Sequence, residues 1–303
     1  MKNILITGGS GLLGTQISKA LIKKGYKVSW LSRSAGSKDN ITIFQWNPKK
    51  GEVDKNALKG VDIILHLAGA SVGGQKWTEE YKMEMRNSRI QAADVLFKAC
   101  QSLGETPSQF ISASGIGYYG YDAGSIWKNE ESRFGDDFLA TLSKDWEEAA
   151  KQFKSLSTAV TIMRTGIVFG KTDSALQKLV TPIKWGVGAP LGSGNQYMSW
   201  IHIDDLVNSY LHVIENSIEG IFNQCAPEPE TNRLITKAIA KTLKRPLILP
   251  SVPKLILQLM LGEFSASITG SMRVSPQKLI DSGYVFKHPE LEKALADLLG
   301  NNP

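Results

Sequence analysis

The stretch Lys2-Asn-Ile-Leu-Ile-Thr-Gly-Gly-Ser-Gly-Leu-Leu-Gly14 limits the fold more than any other part of this chain. Asn3 to Thr7 is a short apolar run suited to a parallel strand covered on both faces, and Gly8, Gly11 and Gly14 follow at G-x-x-G-x-x-G spacing. One glycine permits the tight turn, one lets backbone N–H groups approach an anion, and one lets the next helix pack against its strand. That helix reads as Leu12 to Lys24, with Leu13, Ile17, Ala20 and Leu21 on its apolar side. Its positive end and the turn residues Gly8, Ser10, Gly11, Leu12, Leu13 and Gly14 are the expected grip on the diphosphate of a dinucleotide.

Tyr26 to Leu31 reads as the second strand, at whose end an NAD-selective site places Asp or Glu to accept from the ribose 2′-OH. This chain carries Ser32-Arg33-Ser34 there. A carboxylate repels a 2′-phosphate, whereas a guanidinium and hydroxyls bind one, so NADP is expected over NAD. Asp39 is the nearest acidic alternative and lies well beyond the strand end.

With 303 residues, there is room for one large α/β domain and a smaller lobe. The net charge is +6, yet Lys and Arg are scattered along the chain without a dense basic run, so no nucleic-acid partner is expected. Cys100 and Cys225 show neither metal spacing nor a disulfide framework, which points to a reducing, cytoplasmic setting and to no metal. The N-terminal apolar run is too short for a signal peptide core. Leu247 to Leu261 is interrupted by Pro250, Pro253 and Lys254 and falls short of a membrane span, so no membrane partner is expected either.

Further along, Ile41 to Gln45 and Val61 to Leu67 read as strands, the latter ending in Leu67-Ala68-Gly69-Ala70, small residues against which a dinucleotide can lie. His66 within that run reads as a buried structural histidine. A helix from about Thr78 to Cys100 carries Glu84, Arg86 and Arg89, which periodicity alone places on a solvated face. Gln109 to Ser112 is a strand whose end carries Ser112-Ala-Ser-Gly-Ile-Gly-Tyr-Tyr-Gly120, hydroxyls beside glycines where open α/β sheets place chemistry. Gly135 to Phe153, with Lys144 and Trp146, is the next helix, and Ala159 to Met163 the next strand. This alternation predicts an α/β fold, a doubly wound parallel sheet of the Rossmann type, over residues 1–170, with 200–225 returning to it. Residues 171–303 are expected to form a smaller, mostly helical substrate lobe, in which Asp204 and Asp205 cap a helix from Leu206 to Ile214.

Thr7-Gly-Gly-Ser-Gly-Leu-Leu-Gly14, Leu67-Ala-Gly69, the serine-rich strand end with Tyr119-Gly120, and Ile201-His-Ile-Asp-Asp205 resemble, in the right order, the signatures of extended short-chain dehydrogenases/reductases of the NAD(P)-dependent epimerase/dehydratase family. Trp77 through Ser88-Arg89, Pro190-Leu-Gly-Ser-Gly194 with Trp200-Ile-His202, and Val274-Ser-Pro-Gln-Lys-Leu279 with Gly283-Tyr-Val-Phe286 and Pro289 resemble its atypical branch. Members of that branch carry a C-terminal domain of unknown function and are often labelled sugar-nucleotide epimerase or cell division inhibitor. The resemblance implies NADP contacts at Ser32, Arg33, Leu67, Ala68, Glu84, Arg89 and Val168, to which Gly69 and Ser112 are added from their places at strand ends. It puts the superfamily's active-site hydroxyl on Ser114 and its lysine on Lys144. Ala140 stands where the acid/base tyrosine belongs, so Tyr118 or Tyr119 is the candidate substitute phenol. The resemblance further implies an oxidoreductase or epimerase-like enzyme acting on a small carbonyl or hydroxyl compound between sheet and lobe, and a possible homodimer. The missing tyrosine supports the alternative of a catalytically silent NADPH-binding sensor or interaction module.

Overall fold

The computed structural model describes residues 1–73 and 75–300, which divide into two compact units. The first takes Met1–Ser114, Leu142–Met163 and Val207–Ile221, and the second takes Gly115–Thr141, Arg164–Leu206 and the chain from Phe222 onward. The units therefore alternate along the chain.

In chain order come β1 (Asn3–Thr7), α1 (Leu12–Lys23), β2 (Lys27–Ser32), β3 (Gly36–Lys38), β4 (Ile41–Asn47), β5 (Glu52–Val53), β6 (Ile63–His66), α2 (Glu79–Leu103) and β7 (Gln109–Gly115). Next are β8 (Trp127–Lys128), α3 (Phe138–Lys151), β9 (Ala159–Thr165), β10 (Ile167–Phe169), α4 (Ala175–Lys184), β11 (Tyr197–Met198), β12 (Trp200–His202), α5 (Ile203–Glu215) and β13 (Gly220–Gln224). The chain ends with β14 (Glu230–Thr231), α6 (Asn232–Thr242), α7 (Lys254–Leu261), α8 (Phe264–Thr269), β15 (Arg273–Val274), α9 (Gln277–Asp281) and α10 (Leu291–Leu299).

The main sheet runs β13-β9-β7-β6-β1-β2-β4-β3, with β5 on β4. β1 pairs in parallel with both β2 and β6, β2 with β4, and β6 with β7. Strand order thus moves outward from β1 in both directions, which is the doubly wound arrangement, and it puts the β1–α1 turn at the point where the winding reverses. Both β3 and β5 pair antiparallel with β4.

The first unit's core gathers Leu5, Leu31, Ile64, Ala92, Leu96, Phe110, Phe153 and Ile162, and the Phe110 and Phe153 rings stack at 3.8 Å. Burying side chains of this size stabilises by roughly 1.5–3 kcal/mol each, so the strands need no favourable propensity of their own. The second unit's core joins Phe169, Leu176, Val180, Trp200, Ile235, Ile239 and Leu295.

Several elements differ from the sequence expectation, α5 and β3 among them. α5 starts at Ile203, so Asp204 and Asp205 stand inside its first turn instead of capping it; the Asp204 N–H is taken by His202 Nδ1 at 3.0 Å. Strand β3 was not expected, because Gly36-Ser-Lys38 is wholly exposed and has no apolar face to announce it.

Candidate active site

The β1–α1 turn has the features of an anion cradle. α1 opens at Gly11 with no side-chain cap and no acidic residue in its first turn, so its N–H groups are not spent on a carboxylate. A Cβ on Gly14 would lie 2.3 Å from the Gly8 carbonyl oxygen, so helix and turn meet backbone to backbone there. A Cβ on Gly11 would meet only that same oxygen, at 3.3 Å, and otherwise fill open space. Gly14 is the packing glycine and Gly11 the one with open space beside it. Ser10 and Gly11 are exposed, Leu12 and Leu13 half-buried.

Behind the turn, the ends of β1 and β6 are locked by one hydroxyl. Thr7 Oγ1 accepts from the N–H groups of Leu67 and Ala68, both at 3.1 Å, which leaves its own proton for His66 Nδ1 at 2.8 Å. His66 therefore carries its hydrogen on Nε2, which points at the Arg89 carbonyl at 3.2 Å. Burial pushes the His66 pKa down to about 4, the Arg89 carbonyl opposing it in part, so the ring is neutral and structural.

Arg89 leaves the solvated face on which periodicity places it. Its guanidinium is buried, donates from Nη1 to the Met85 carbonyl and from Nη2 to the Ala70 carbonyl, and lies 4.7 Å from the Trp146 ring. Desolvation lowers its pKa to about 10, which still leaves it cationic. Nε is buried with no partner among the described residues. An orphaned donor beside Gly69, together with the open face of Gly11, fits a bound dinucleotide. Arg86 stays exposed and pairs with Asp145, and Glu84 is paired with Lys49 at 2.6 Å.

At the end of β2, Ser32 is half-buried and Arg33 exposed. Ser32 pairs with Gln45 on β4, whereas Asp39 and Asn40 form the β3–β4 turn, both with left-handed φ (48° and 65°). Asp39 thus precedes Ile41, four residues up β4 from Gln45, or about 13 Å at the usual rise per residue. It cannot accept from a ribose held at the end of β2.

Ser112 and Ser114 lie on β7, both buried. Ser112 Oγ donates to the Ala113 carbonyl at 2.9 Å, and Ser114 Oγ donates to Glu147 Oε1 at 2.8 Å. Glu147, on α3, is itself buried. Sequence reading passed over it, although its position seven residues after Ala140 and four after Ser143 places a carboxylate on the buried face of the helix. Lys144 is exposed on the same helix, and Ala140 is fully buried where a phenol was looked for.

In the second unit, Tyr119 is buried, donates to Asn223 Oδ1 at 2.8 Å and accepts from Arg164 Nη1 at 3.0 Å. Burial raises its pKa well above the usual phenol value, despite the opposing Arg164 charge. The half-buried Tyr118 lies under the same guanidinium, whose carbon is 3.4 Å from its ring centroid. Val168 is in β10, paired with Ile201 of β12.

Asp205, buried in α5, clasps the C-terminal segment. Its Oδ1 accepts from Tyr284 Oη and the Lys287 N–H, and its Oδ2 from the His288 N–H, at 2.7–2.9 Å. Nearby, His202, Asp204 and His288 bring potential ligand atoms within 4.8 Å of one another. The two rings are stacked at 3.7 Å and 24°, so their in-plane lone pairs run side by side, and His202 Nδ1 already accepts a backbone N–H. That geometry suits a packed clasp and not a shared metal.

The family model for the NAD dependent epimerase/dehydratase family matches residues 4–225. The chain belongs to that family. A second model, for a domain of unknown function (DUF1731), matches residues 252–298, which contain α7 and the segment held by Asp205. An epimerase family protein of Staphylococcus saprophyticus is 37% identical over 302 residues, 99% of this chain and 100% of its own. Among solved structures, a human epimerase family protein crystallised with NADPH matches with a TM-score of 0.88 at 29% identity over 99% of both chains. A nucleoside-diphosphate sugar epimerase of Corynebacterium glutamicum matches with a TM-score of 0.80 at 29% identity, over 99% of this chain and 58% of that one.

Proposed function

We propose that this family member is an NADP(H)-binding oxidoreductase or epimerase-like enzyme acting on a small carbonyl or hydroxyl compound. The observation that carries the reading is at the end of β2, where Arg33 stands without a carboxylate and Asp39 is turned away at the far end of a hairpin. The human relative solved with NADPH supports it. The Gly8–Gly14 turn holds the diphosphate, Ser32 and Arg33 the 2′-phosphate, and Leu67, Ala68, Gly69 and the Arg89 Nε–H the adjoining face, with Glu84, Ser112 and Val168 as further contacts. When bound, the nicotinamide supplies or accepts a hydride. Ser114, oriented by Glu147, positions the substrate oxygen, and the phenol of Tyr118 or Tyr119 with Lys144 handles the proton.

Calorimetric titration tests the cofactor. NADPH is expected to bind at least about tenfold more tightly than NADH, because only a 2′-phosphate makes charge-assisted bonds to a guanidinium; equal affinities sink the assignment.

The buried Ala140, together with a Tyr119 already engaged by Arg164 and Asn223, favours a second reading, a catalytically silent NADPH-binding sensor or interaction module. NADPH consumption over a panel of aldehydes and quinones, against a Lys144→Ala control, separates the two. Turnover that falls in the control supports the enzyme, and none above background with any substrate supports the sensor.

A further inference from the structure

The acidic residues of this chain are distributed less evenly than the basic ones. Residues 174–203 and 231–262 contain eight Lys and Arg and not one Asp or Glu. The whole chain has 35 basic and 29 acidic residues, so the remainder holds 27 basic against 29 acidic, and the entire net positive charge resides in these two segments. Both belong to the second unit and are stitched together there. Leu191 bridges Val252 in parallel, Gly192 N–H donates to the Val252 carbonyl, Val252 N–H donates to the Pro190 carbonyl, and Arg233 Nη2 donates to the Ser193 carbonyl at 2.7 Å.

The same region presents aliphatic side chains to water. Of the eight residues of α7, only Leu257 is buried, while Leu255, Ile256, Leu259 and Met260 are exposed, Leu259 by 73%. Ile248 and Leu249, in the loop leading to α7, are exposed too, Ile248 by 79%. Trp185, at the end of α4, is 79% exposed between Lys184 and the exposed Val187. Lys184, Lys244, Arg245 and Lys254, which flank these side chains in sequence, are all exposed. Of the cations in these segments, Lys241 is paired, with Glu292 at 3.0 Å. So large an apolar display on a soluble unit marks a contact surface.

We infer that α7 and its flanking loops dock on an anionic lipid bilayer, lying in the headgroup layer without crossing it. Among the described residues, no helix is long and apolar enough to cross a membrane. The occupant follows from charge and chemistry. A second copy of this chain would set one predominantly basic surface against another, like charges facing, which opposes association. Nucleic acid offers phosphates for the cations but no apolar phase for Leu255, Ile256, Leu259 and Met260. An anionic bilayer offers both: acyl chains for a short helix with Leu, Ile and Met outward, an interface for a tryptophan, and phosphates for Lys244, Arg245 and Lys254. This inference departs from the expectation of no membrane partner, which rested on the length of the Leu247–Leu261 stretch and not on which way its side chains face.

Vesicle flotation with the full chain tests the assignment. Vesicles of phosphatidylcholine with about one third phosphatidylglycerol should carry the protein at low salt, and pure phosphatidylcholine vesicles should not. Leu255→Glu with Leu259→Glu, both at exposed positions, should lower partitioning at least about tenfold at an unchanged melting temperature. As a second variant independent of helix packing, Lys244→Glu with Lys254→Glu should do the same and flatten the salt dependence. A blue shift of tryptophan emission on adding anionic vesicles should shrink in Trp185→Phe. The inference is overturned if binding is equal on neutral and anionic vesicles or unchanged in both double variants. It is equally overturned if the protein binds duplex DNA in preference to vesicles, or is a dimer that the Leu255/Leu259 variant makes monomeric.

Discussion

The Ser114 hydroxyl donates a 2.8 Å hydrogen bond to Glu147 Oε1, and both residues are buried. A hydroxyl committed to a buried carboxylate has a fixed rotamer, so its oxygen presents its lone pairs in one direction. The same bond satisfies part of a polar group that is costly to bury unpaired. Ser114→Ala is therefore expected to cost about 1–3 kcal/mol, and Ser114→Thr, which keeps the hydroxyl, clearly less. Urea unfolding of the two variants measures the difference; equal losses would mean that packing and not the hydrogen bond matters there.

His66 gives the protein a specific acid sensitivity. The ring is held neutral in the fold, with its pKa down from 6.5 to about 4, whereas in the unfolded chain it takes up a proton near 6.5. The unfolded state thus binds more protons between those values, and stability falls as pH drops from about 6.5 to about 4. The shift corresponds to about 3 kcal/mol at full development, an order-of-magnitude figure. Thermal unfolding between pH 7 and 4 should show this slope, and a His66→Gln variant, less stable at neutral pH, should show it reduced. An unchanged slope in the variant would assign the acid loss to other groups.

The two glycines of the turn should fail in different ways. Gly14→Ala forces a Cβ to within 2.3 Å of the Gly8 carbonyl oxygen, a backbone atom that cannot step aside, so the β1–α1 junction must shift. A loss of several kcal/mol and a much lower melting temperature are expected, in the range of an overpacked core. Gly11→Ala meets only one atom, at 3.3 Å, and should keep the melting temperature within a few degrees while weakening NADPH binding by roughly tenfold or more. Calorimetry and thermal unfolding of both variants distinguish these roles. Should Gly11→Ala bind NADPH normally, the open side of the turn is not where the diphosphate rests.

Strand β1, the glycine turn and α1 were legible because a continuous apolar run, a fixed glycine spacing and a helical period occur in one unbroken stretch. Three features were not. Arg89 reads as surface charge because periodicity reports only which side of a helix a residue occupies, and its burial depends on Gly69, Ala70 and Trp146, distant in sequence. Asp205 reads as a helix cap, yet its partners Tyr284, Lys287 and His288 come from the far end of the chain. Helix α7 reads only as one short helix of the smaller lobe, because six apolar residues among eight, with Lys254 and Gln258 the exceptions, do not say which way they face, and its packing shows that one residue of the eight is buried.

In the proposed reading, cofactor choice rests on Arg33 and should be invertible there. Arg33→Asp places a carboxylate at the end of β2, where it accepts from a ribose 2′-OH and repels a 2′-phosphate. NADPH affinity should fall by at least about tenfold and NADH affinity rise, with no change in melting temperature because the side chain is exposed. Parallel titrations of wild type and variant with both cofactors decide the matter. Loss of both affinities together would indicate a damaged loop instead of an altered preference.

Tyr118 and Tyr119 are neighbours with opposite prospects as proton carriers. The Tyr119 phenol makes two hydrogen bonds in a buried site, to Asn223 and from Arg164, and burial holds its pKa well above the usual value. A phenol so engaged is a poor acid and a good strut. Tyr119→Phe should leave the Asn223 oxygen without that donor and destabilise by about 1–3 kcal/mol. Tyr118 is half-buried, with its ring against the Arg164 guanidinium, a contact that Phe preserves. Tyr118→Phe should therefore keep the melting temperature. If Tyr118 is the substitute acid/base, this variant alone should lower turnover of the best aldehyde or quinone substrate by about 10²-fold or more, without altering NADPH affinity. Full turnover in Tyr118→Phe removes Tyr118 from the chemistry, and full turnover together with wild-type stability in Tyr119→Phe removes the strut as well.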